Sequence, residues 1–190
     1  MNNLIKISLT MMLVVGGNGL VHAQATTLPT SFNARIVDNS CRVVISDNGA
    51  IDLGIVSMDY LKTLSPTQYA GGTRFTLSVD DCGQSSVRTA SQLHIRFRPQ
   101  SGVFAAQTKQ VFTNDLPPDS QGAQNVGVVI FSDTSTRNVL NGDGTSDTVY
   151  PTSGEGYRGD YSFTARLQQD GDTLSPGQVK SNVIVDIYYD

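Results

Sequence analysis

The sequence predicts an all-β fold built as two packed antiparallel sheets. Three observations predict it. Apolar residues recur with a period of two in runs of four to eight residues. Residues that favour turns separate those runs. Two cysteines lie downstream of a secretion signal, the setting in which an even count reads as a disulfide.

The signal comes first. Lys6 supplies a positive start, residues 7–15 form an apolar run softened by Ser8 and Thr10, and Gly16, Gly17, Asn18 and Gly19 end it. Val21-His22-Ala23 offers the short side chains a signal peptidase needs, which places cleavage after Ala23 and makes residues 1–23 the signal peptide. The run is too short to span a bilayer as a helix. The remaining residues, 24–190, suffice for one domain with a real core. Cleavage removes Lys6 and no acid, so the mature chain is one charge more negative than the −4 of the full sequence. Its basic residues are scattered, which excludes nucleic acid and anionic membrane surfaces as electrostatic partners.

The strand signals follow in order. Phe32, Ala34 and Ile36 alternate with Asn33, Arg35 and Val37. Val43 to Ile45 is apolar and runs into a turn at Asp47-Asn48-Gly49. Ile51, Leu53 and Ile55 alternate again, as do Phe75, Leu77 and Val79 on the way to Cys82. Leu93, Ile95 and Phe97 alternate with His94, Arg96 and Arg98. Val126, Val128 and Ile130 alternate in part; Tyr161, Phe163, Ala165 and Leu167 alternate with polar residues. Val183, Val185, Ile187 and Tyr189 close the chain. This makes about seven strands. Residues 59–68 have room for one helical turn, limited by Pro66. Gly- and Asp-rich stretches at 114–124 and 141–159 read as loops. Cys41 and Cys82 read as one disulfide, worth roughly 4 kcal/mol in the chain-entropy picture.

Catalytic and metal chemistry find little support. A Ser–His–Asp triad would have to use His94, which sits mid-strand on one face with Arg96 and Arg98 and reads as a surface residue. Asp80 and Asp81 are strand neighbours and point to opposite faces. Residues 141–147 place oxygen-bearing side chains at alternate positions, but Ser146 stands where a calcium loop has glycine and Thr152 where it has glutamate, so a turn is the better reading. Gly71-Gly72 has no phosphate-loop context. The tyrosines, Tyr157 and Tyr161 among them, read as packing at strand ends rather than a sugar site. No cofactor, no metal and no enzymatic activity are expected.

Five segments follow one another in order. They are residues 32–43, leading into and past Cys41; Asp52-Leu53-Gly54 with Val56; Phe75-Thr76-Leu77 through Asp81-Cys82; Ala123, Asn125, Val126 and Gly127 in an A-x-N-V-G pattern; and Gly177 fourteenth from the end with Tyr189 next to last. Taken together, they resemble the type 1 fimbrial subunit family of the bacterial chaperone–usher pathway. The first looks like that family's segment before its first cysteine, the second like its second strand and the third like the strand ending in its second cysteine. The A-x-N-V-G segment, the glycine and the penultimate tyrosine are similar to the family's own.

The resemblance implies an immunoglobulin-like sandwich lacking its last strand, in residues 37–190, with residues 24–36 as an N-terminal extension. It implies that a periplasmic chaperone first fills the gap with a strand. The next subunit's extension then replaces that strand during assembly at an outer-membrane usher. Neighbouring subunits so joined form a head-to-tail fibre exported to the cell surface. By the same resemblance Leu28, Thr30, Phe32, Ala34 and Ile36 are the donor positions, sharing one face by strand alternation. Val183, Val185, Ile187 and Tyr189 form the groove-edge strand that meets the chaperone, with the carboxylate of Asp190 held by basic chaperone residues. Gly177 is read as serving the turn into that strand. Two positions depart from the family: Ala34 replaces a glycine, and Pro29 cannot donate a ladder hydrogen bond.

The leading function is therefore a structural fimbrial subunit contributing to adhesion. A host-binding, carbohydrate-recognising minor or tip subunit with a host receptor is the alternative. A secreted hydrolase is the third class, disfavoured by the lone mature-chain histidine. The family's tip adhesins carry an additional N-terminal lectin domain and no donor extension, and this chain is too short for two such domains.

Overall fold

A computed structural model describes residues 30–34, 41–82, 92–152 and 158–189. Ten strands and one α-helical turn appear among them, with short 3-10 turns at Ser46–Gly49 and Pro118–Ser120. They are β1 (Thr30–Ala34), β2 (Cys41–Ile45), β3 (Ala50–Ile51), α1 (Met58–Leu61), β4 (Thr73–Cys82), β5 (Gln92–Pro99), β6 (Val126–Ser132), β7 (Arg137–Asn138), β8 (Thr148–Pro151), β9 (Gly159–Gln169) and β10 (Val183–Tyr189). One sheet has the order β3-β1-β10-β5-β8 and the other β2-β4-β9-β6-β7. Every pairing is antiparallel except β1 with β10, which is parallel.

The core lies between the sheets, and strand alternation fills it. Phe75, Leu77 and Val79 of β4 and Phe163 and Ala165 of β9 face Leu93, Ile95 and Phe97 of β5 and Val183, Val185 and Ile187 of β10; all are buried in one cluster. The Phe97 ring meets Phe163 edge-on at 5.0 Å, and Phe75 stacks on Phe163 at 5.7 Å. Such pairs add to the stabilisation from area burial alone. β2 and β4 place Cys41 and Cys82 opposite each other.

The expected turn at Asp47-Asn48-Gly49 is present. All three residues adopt positive φ (52°, 53° and 76°), a region that Asp, Asn and Gly tolerate best. The turn carries the chain from one sheet to the other, since β2 and β3 lie in different sheets.

The structure corrects several sequence expectations. The alternation Ile51-Leu53-Ile55 does not make a full strand. β3 ends at Ile51, because Asp52 Oδ1 accepts a hydrogen bond from Gly54 N at 2.8 Å and Gly54 takes φ +69°, bending the chain out of the sheet. Ile55 is consequently 74% exposed. The stretch at 141–159 is not wholly loop, since it contains β8, which pairs with β5 from Gln92↔Pro151 to Ile95↔Thr148. The two-residue β7 was also not expected. β6 does not merely alternate. All seven of its residues are buried. Val128 and Ile130 face the main core, while Val129 and Phe131 pack with Ala105 and Val111 of a segment lying across the outer face.

The helical turn expected within residues 59–68 is α1, which starts one residue earlier and spans Met58–Leu61. Ser57 caps it, its Oγ accepting from Tyr60 N at 3.3 Å. Leu61 anchors it against Ala123 and Val126.

The A-x-N-V-G segment works by close backbone approach. Phe112 N donates to Val128 O at 2.8 Å, and Val128 N donates back to Phe112 O at 2.9 Å. That ladder passes directly over Gly127, where a Cβ would collide with the Phe112 carbonyl oxygen and stand 2.6 Å from Val111 Cγ1. Gly127→Ala should therefore destabilise the fold by roughly 1–3 kcal/mol, the cost of overpacking. Thermal unfolding reads this as a Tm lower by several degrees; an unchanged Tm would show that the strand and segment separate freely.

Candidate functional site

β10 is the strand on which the candidate site turns. Its alternating sequence buries Val183, Val185, Ile187 and Tyr189 and leaves Ile184, Asp186 and Tyr188 on the outer face. On one side it pairs with β5 through seven residues, from Val183↔Pro99 to Tyr189↔Leu93. On the other side lies β1, with Phe32↔Val183, Asn33↔Ile184 and Ala34↔Val185 in register. β1 also pairs with β3, through Thr30↔Ile51 and Ser31↔Ala50. The chain's own N-terminal strand thus occupies the seat between β10 and β3.

Of the five expected donor positions, Thr30, Phe32 and Ala34 fall on β1, and Leu28 and Ile36 lie outside the described residues. Four of the five groove-edge residues are the buried face of β10, and Asp190 lies outside the described residues.

The chain is steered into β10 by close packing and buried hydrogen bonds. A Cβ on Gly177 would stand 2.5 Å from Ala123 N and 2.6 Å from Gln121 O, so only glycine lets the two backbones pass. Beside it Ala123 N donates to Gln178 O at 2.9 Å, and Gln178 N to Gln121 O at 2.8 Å. Asn182 donates from its backbone N and from Nδ2 to Asp115 Oδ2, at 2.7 and 2.9 Å. Ser181, buried, donates to the carbonyls of Phe112 and Thr113. Gly177 is a crossing point of two chain segments.

The outer face of the same sheet carries a polar network that sequence reading missed. His94 is buried, 8% exposed, and not the surface residue expected. Its ring stacks on Tyr188 at 4.5 Å, and Nδ1 lies 3.0 Å from Asp147 Oδ1. Arg96 lies over the Tyr188 ring at 4.4 Å and donates from Nε to Asp147 Oδ1 at 3.2 Å. Arg98 Nε donates to Asp186 Oδ2 at 2.9 Å. The cover comes from the turn at 141–147. There Thr145 N donates to Asp143 Oδ1 at 2.9 Å, Asn141 N donates to Thr145 O at 2.8 Å, and Ser146 Oγ accepts from Phe97 N at 2.9 Å. The alternation of His94, Arg96 and Arg98 signalled a shared face; the return of a distant turn onto that face left no local trace.

Burial pushes the Asp147 carboxyl up, but the hydrogen bonds and charges of Arg96 and His94 outweigh it and hold the group below its ordinary value. Among the described residues no group of three His, Cys, Asp or Glu side chains is placed to hold a metal ion. The network binds the 141–147 turn to β5 and β10.

Because the folded value of Asp147 is depressed, its contribution to stability is present above the unfolded carboxylate range, about pH 4, and fades as pH falls through the lower folded value. Asp147→Asn should lower Tm at neutral pH, and the gap from the unsubstituted chain should narrow below that range. A gap independent of pH, in paired melting series, would contradict this account.

Comparisons with known proteins agree with this architecture. Residues 30–190 match the family described as Fimbrial protein. The chain is 43% identical over 166 residues to the "Uncharacterized fimbrial-like protein YadK" of Escherichia coli (strain K12), covering 83% of this chain and 82% of that one. It is 30% identical over 176 residues to a "Fimbria adhesin protein" of Klebsiella pneumoniae, covering 87% of this chain but 50% of the adhesin. Among solved structures, the CupB6 tip adhesin from Pseudomonas aeruginosa shares the fold at a TM-score of 0.50 and 13% identity. That likeness covers 86% of this chain and 41% of the adhesin, so this chain spans half or less of each adhesin. The family match runs through both sheets and the YadK match through most of either chain; the chain belongs to the fimbrial protein family, non-enzymatic subunits of cell-surface appendages.

Proposed function

We propose that the protein is a structural subunit of a chaperone–usher fimbria, polymerised by donor-strand exchange and contributing to adhesion. The observation that carries this reading is the seat beside β10. The strand filling it, β1, comes from the N-terminal segment and meets β10 over three residues, against the seven that β5 pairs with it. A sandwich without that strand leaves backbone donors and acceptors unpaired along β10 and wets apolar core. A strand from another chain supplies both needs by β-augmentation. The contact is head-to-tail and does not close on itself, so it grows a filament.

In this reading residues 24–36 are the extension and 37–190 the incomplete immunoglobulin-like domain. Leu28, Thr30, Phe32, Ala34 and Ile36 enter the neighbouring subunit's groove. Val183, Val185, Ile187, Tyr189 and Asp190 form the edge that a periplasmic chaperone covers before the usher exchanges it for the neighbour. Cys41 and Cys82, cross-strand partners at the start of β2 and the end of β4, form the disulfide, and residues 1–23 are removed on export.

A second reading, a host-binding minor or tip subunit, draws support from the two adhesins among the similar proteins. Each is at least about twice as long as the part this chain matches, so their names bear on a module the two share and leave the structural role the better supported.

Phe32→Asp tests the leading reading. The expected result is a mature chain that keeps its β-sheet circular dichroism but forms no sedimentable polymer. Polymer in the usual amount would overturn the donor assignment. Loss of the β signal would instead place Phe32 in the chain's own core.

A further inference from the structure

We infer that the outer face of β5 and β10 carries a binding site for a neutral sugar, in the cleft where the 141–147 turn folds over the two strands. The cleft holds about 590 Å3, and its walls include Arg96 and Arg98 of β5, Ser146 and Asp147 of the turn and Asp186 of β10. That volume falls within the range of small-ligand sites, about 300–1,000 Å3. The site lies on the β5 side of β10, away from the seat of β1 on the other side. The inference therefore does not rest on the donor-strand reading, and a shaft subunit and a tip subunit can equally carry such a site.

Unspent donors and acceptors choose the ligand, together with the charge balance. Arg98 donates from Nε to Asp186 Oδ2 at 2.9 Å, and among the described residues its two terminal nitrogens have no hydrogen-bond partner. The guanidinium fork is not completed onto Asp186 Oδ1, which is buried without a partner among the described residues. Ser146 Oγ accepts from Phe97 N at 2.9 Å and keeps its O–H to donate. Asp147 Oδ1 is shared by His94, Arg96 and Tyr188, whereas Oδ2 meets only Arg96 Nη2, at 3.5 Å, and has lone pairs to spare. The two arginines and the two aspartates cancel in formal charge. A carboxylate or phosphate would suit Arg98 but face Asp147 and Asp186; an ammonium would face the arginines. A hydroxyl donates and accepts without charge, so a pyranose ring answers Arg98 and Asp147 together. The site is also preorganised. His94 and Arg96 hold Asp147, and Asn141 N closes the turn onto Thr145 O at 2.8 Å. Phe97, the aromatic residue in the lining, is buried in the core and gives no ring for a sugar to stack on, so one sugar unit binds at about millimolar Kd.

Ligand-binding NMR on the mature chain supplies the test. The probes are the methyl glycosides of glucose, galactose and mannose, with glucuronate and glucosamine as charged counterparts. The expected result is binding of at least one neutral glycoside, with amide shifts confined to residues 96–98, 144–147 and 186. Arg98→Gln, which removes the guanidinium donors, is expected to weaken that binding by about tenfold or more. No binding by any of the three glycosides at tens of times the expected Kd overturns the inference. So does tighter binding of glucuronate or glucosamine than of every neutral glycoside, or a shift map centred elsewhere on the chain. An Arg98→Gln chain that melts as the unsubstituted one does and binds the glycoside equally well overturns it too. If Arg98→Gln fails to fold, the shift map of the unsubstituted chain decides alone.

Discussion

A strand that buries one whole face in a core needs backbone partners along both of its sides. β10 is such a strand, and its two sides are unequally served. β5 pairs with it through seven residues, while the described pairing with β1 covers three. Burying Val183, Val185, Ile187 and Tyr189 commits β10 to the interior. Its peptide groups on the β1 side then need protein donors and acceptors, because leaving each buried group unsatisfied costs on the order of 1–3 kcal/mol. That requirement explains why the N-terminal strand belongs in the sheet and why another strand of similar pattern could take its place.

The rest of the molecule holds β10 still. On the inner face Phe97, Phe163 and Phe75 interlock behind it. On the outer face His94 stacks on Tyr188 of β10, Arg96 lies over the same ring and Arg98 bonds to Asp186, while His94 and Arg96 also engage Asp147 from the turn just before β8. At its start, the crossing at Gly177 and the Asp115–Asn182 bonds fix where the strand begins. A seat held on three sides can receive a strand without rearranging, and preorganisation of this kind spares the ordering cost of binding.

Much of this was legible in the sequence because a strand writes its burial pattern locally. The alternation in 75–79, 93–97 and 183–189 gave the inner faces correctly, and Asp47-Asn48-Gly49 gave the turn between sheets. What escaped depended on distant chain. The Ile51-Leu53-Ile55 alternation was overridden by the Asp52–Gly54 turn, visible only as a dipeptide spacing. β8 hid in a Gly- and Asp-rich stretch whose composition outweighed Thr148-Val149-Tyr150. His94 looked exposed because nothing near it in sequence announces that residues 141–147 fold over it. The parallel pairing of β1 with β10 joins the two ends of the described chain, and no local pattern encodes it.

The most direct test of the account is the melting temperature of residues 37–190, purified under oxidising conditions, with and without a peptide covering residues 26–38. A ligand that binds only the folded state raises Tm by mass action. The account predicts a low Tm that rises strongly with the peptide, and much less with a peptide in which Phe32 and Ala34 are replaced by aspartate. A high Tm that no peptide shifts would mean that the sandwich is complete without its N-terminal strand, and the account would be contradicted at its root.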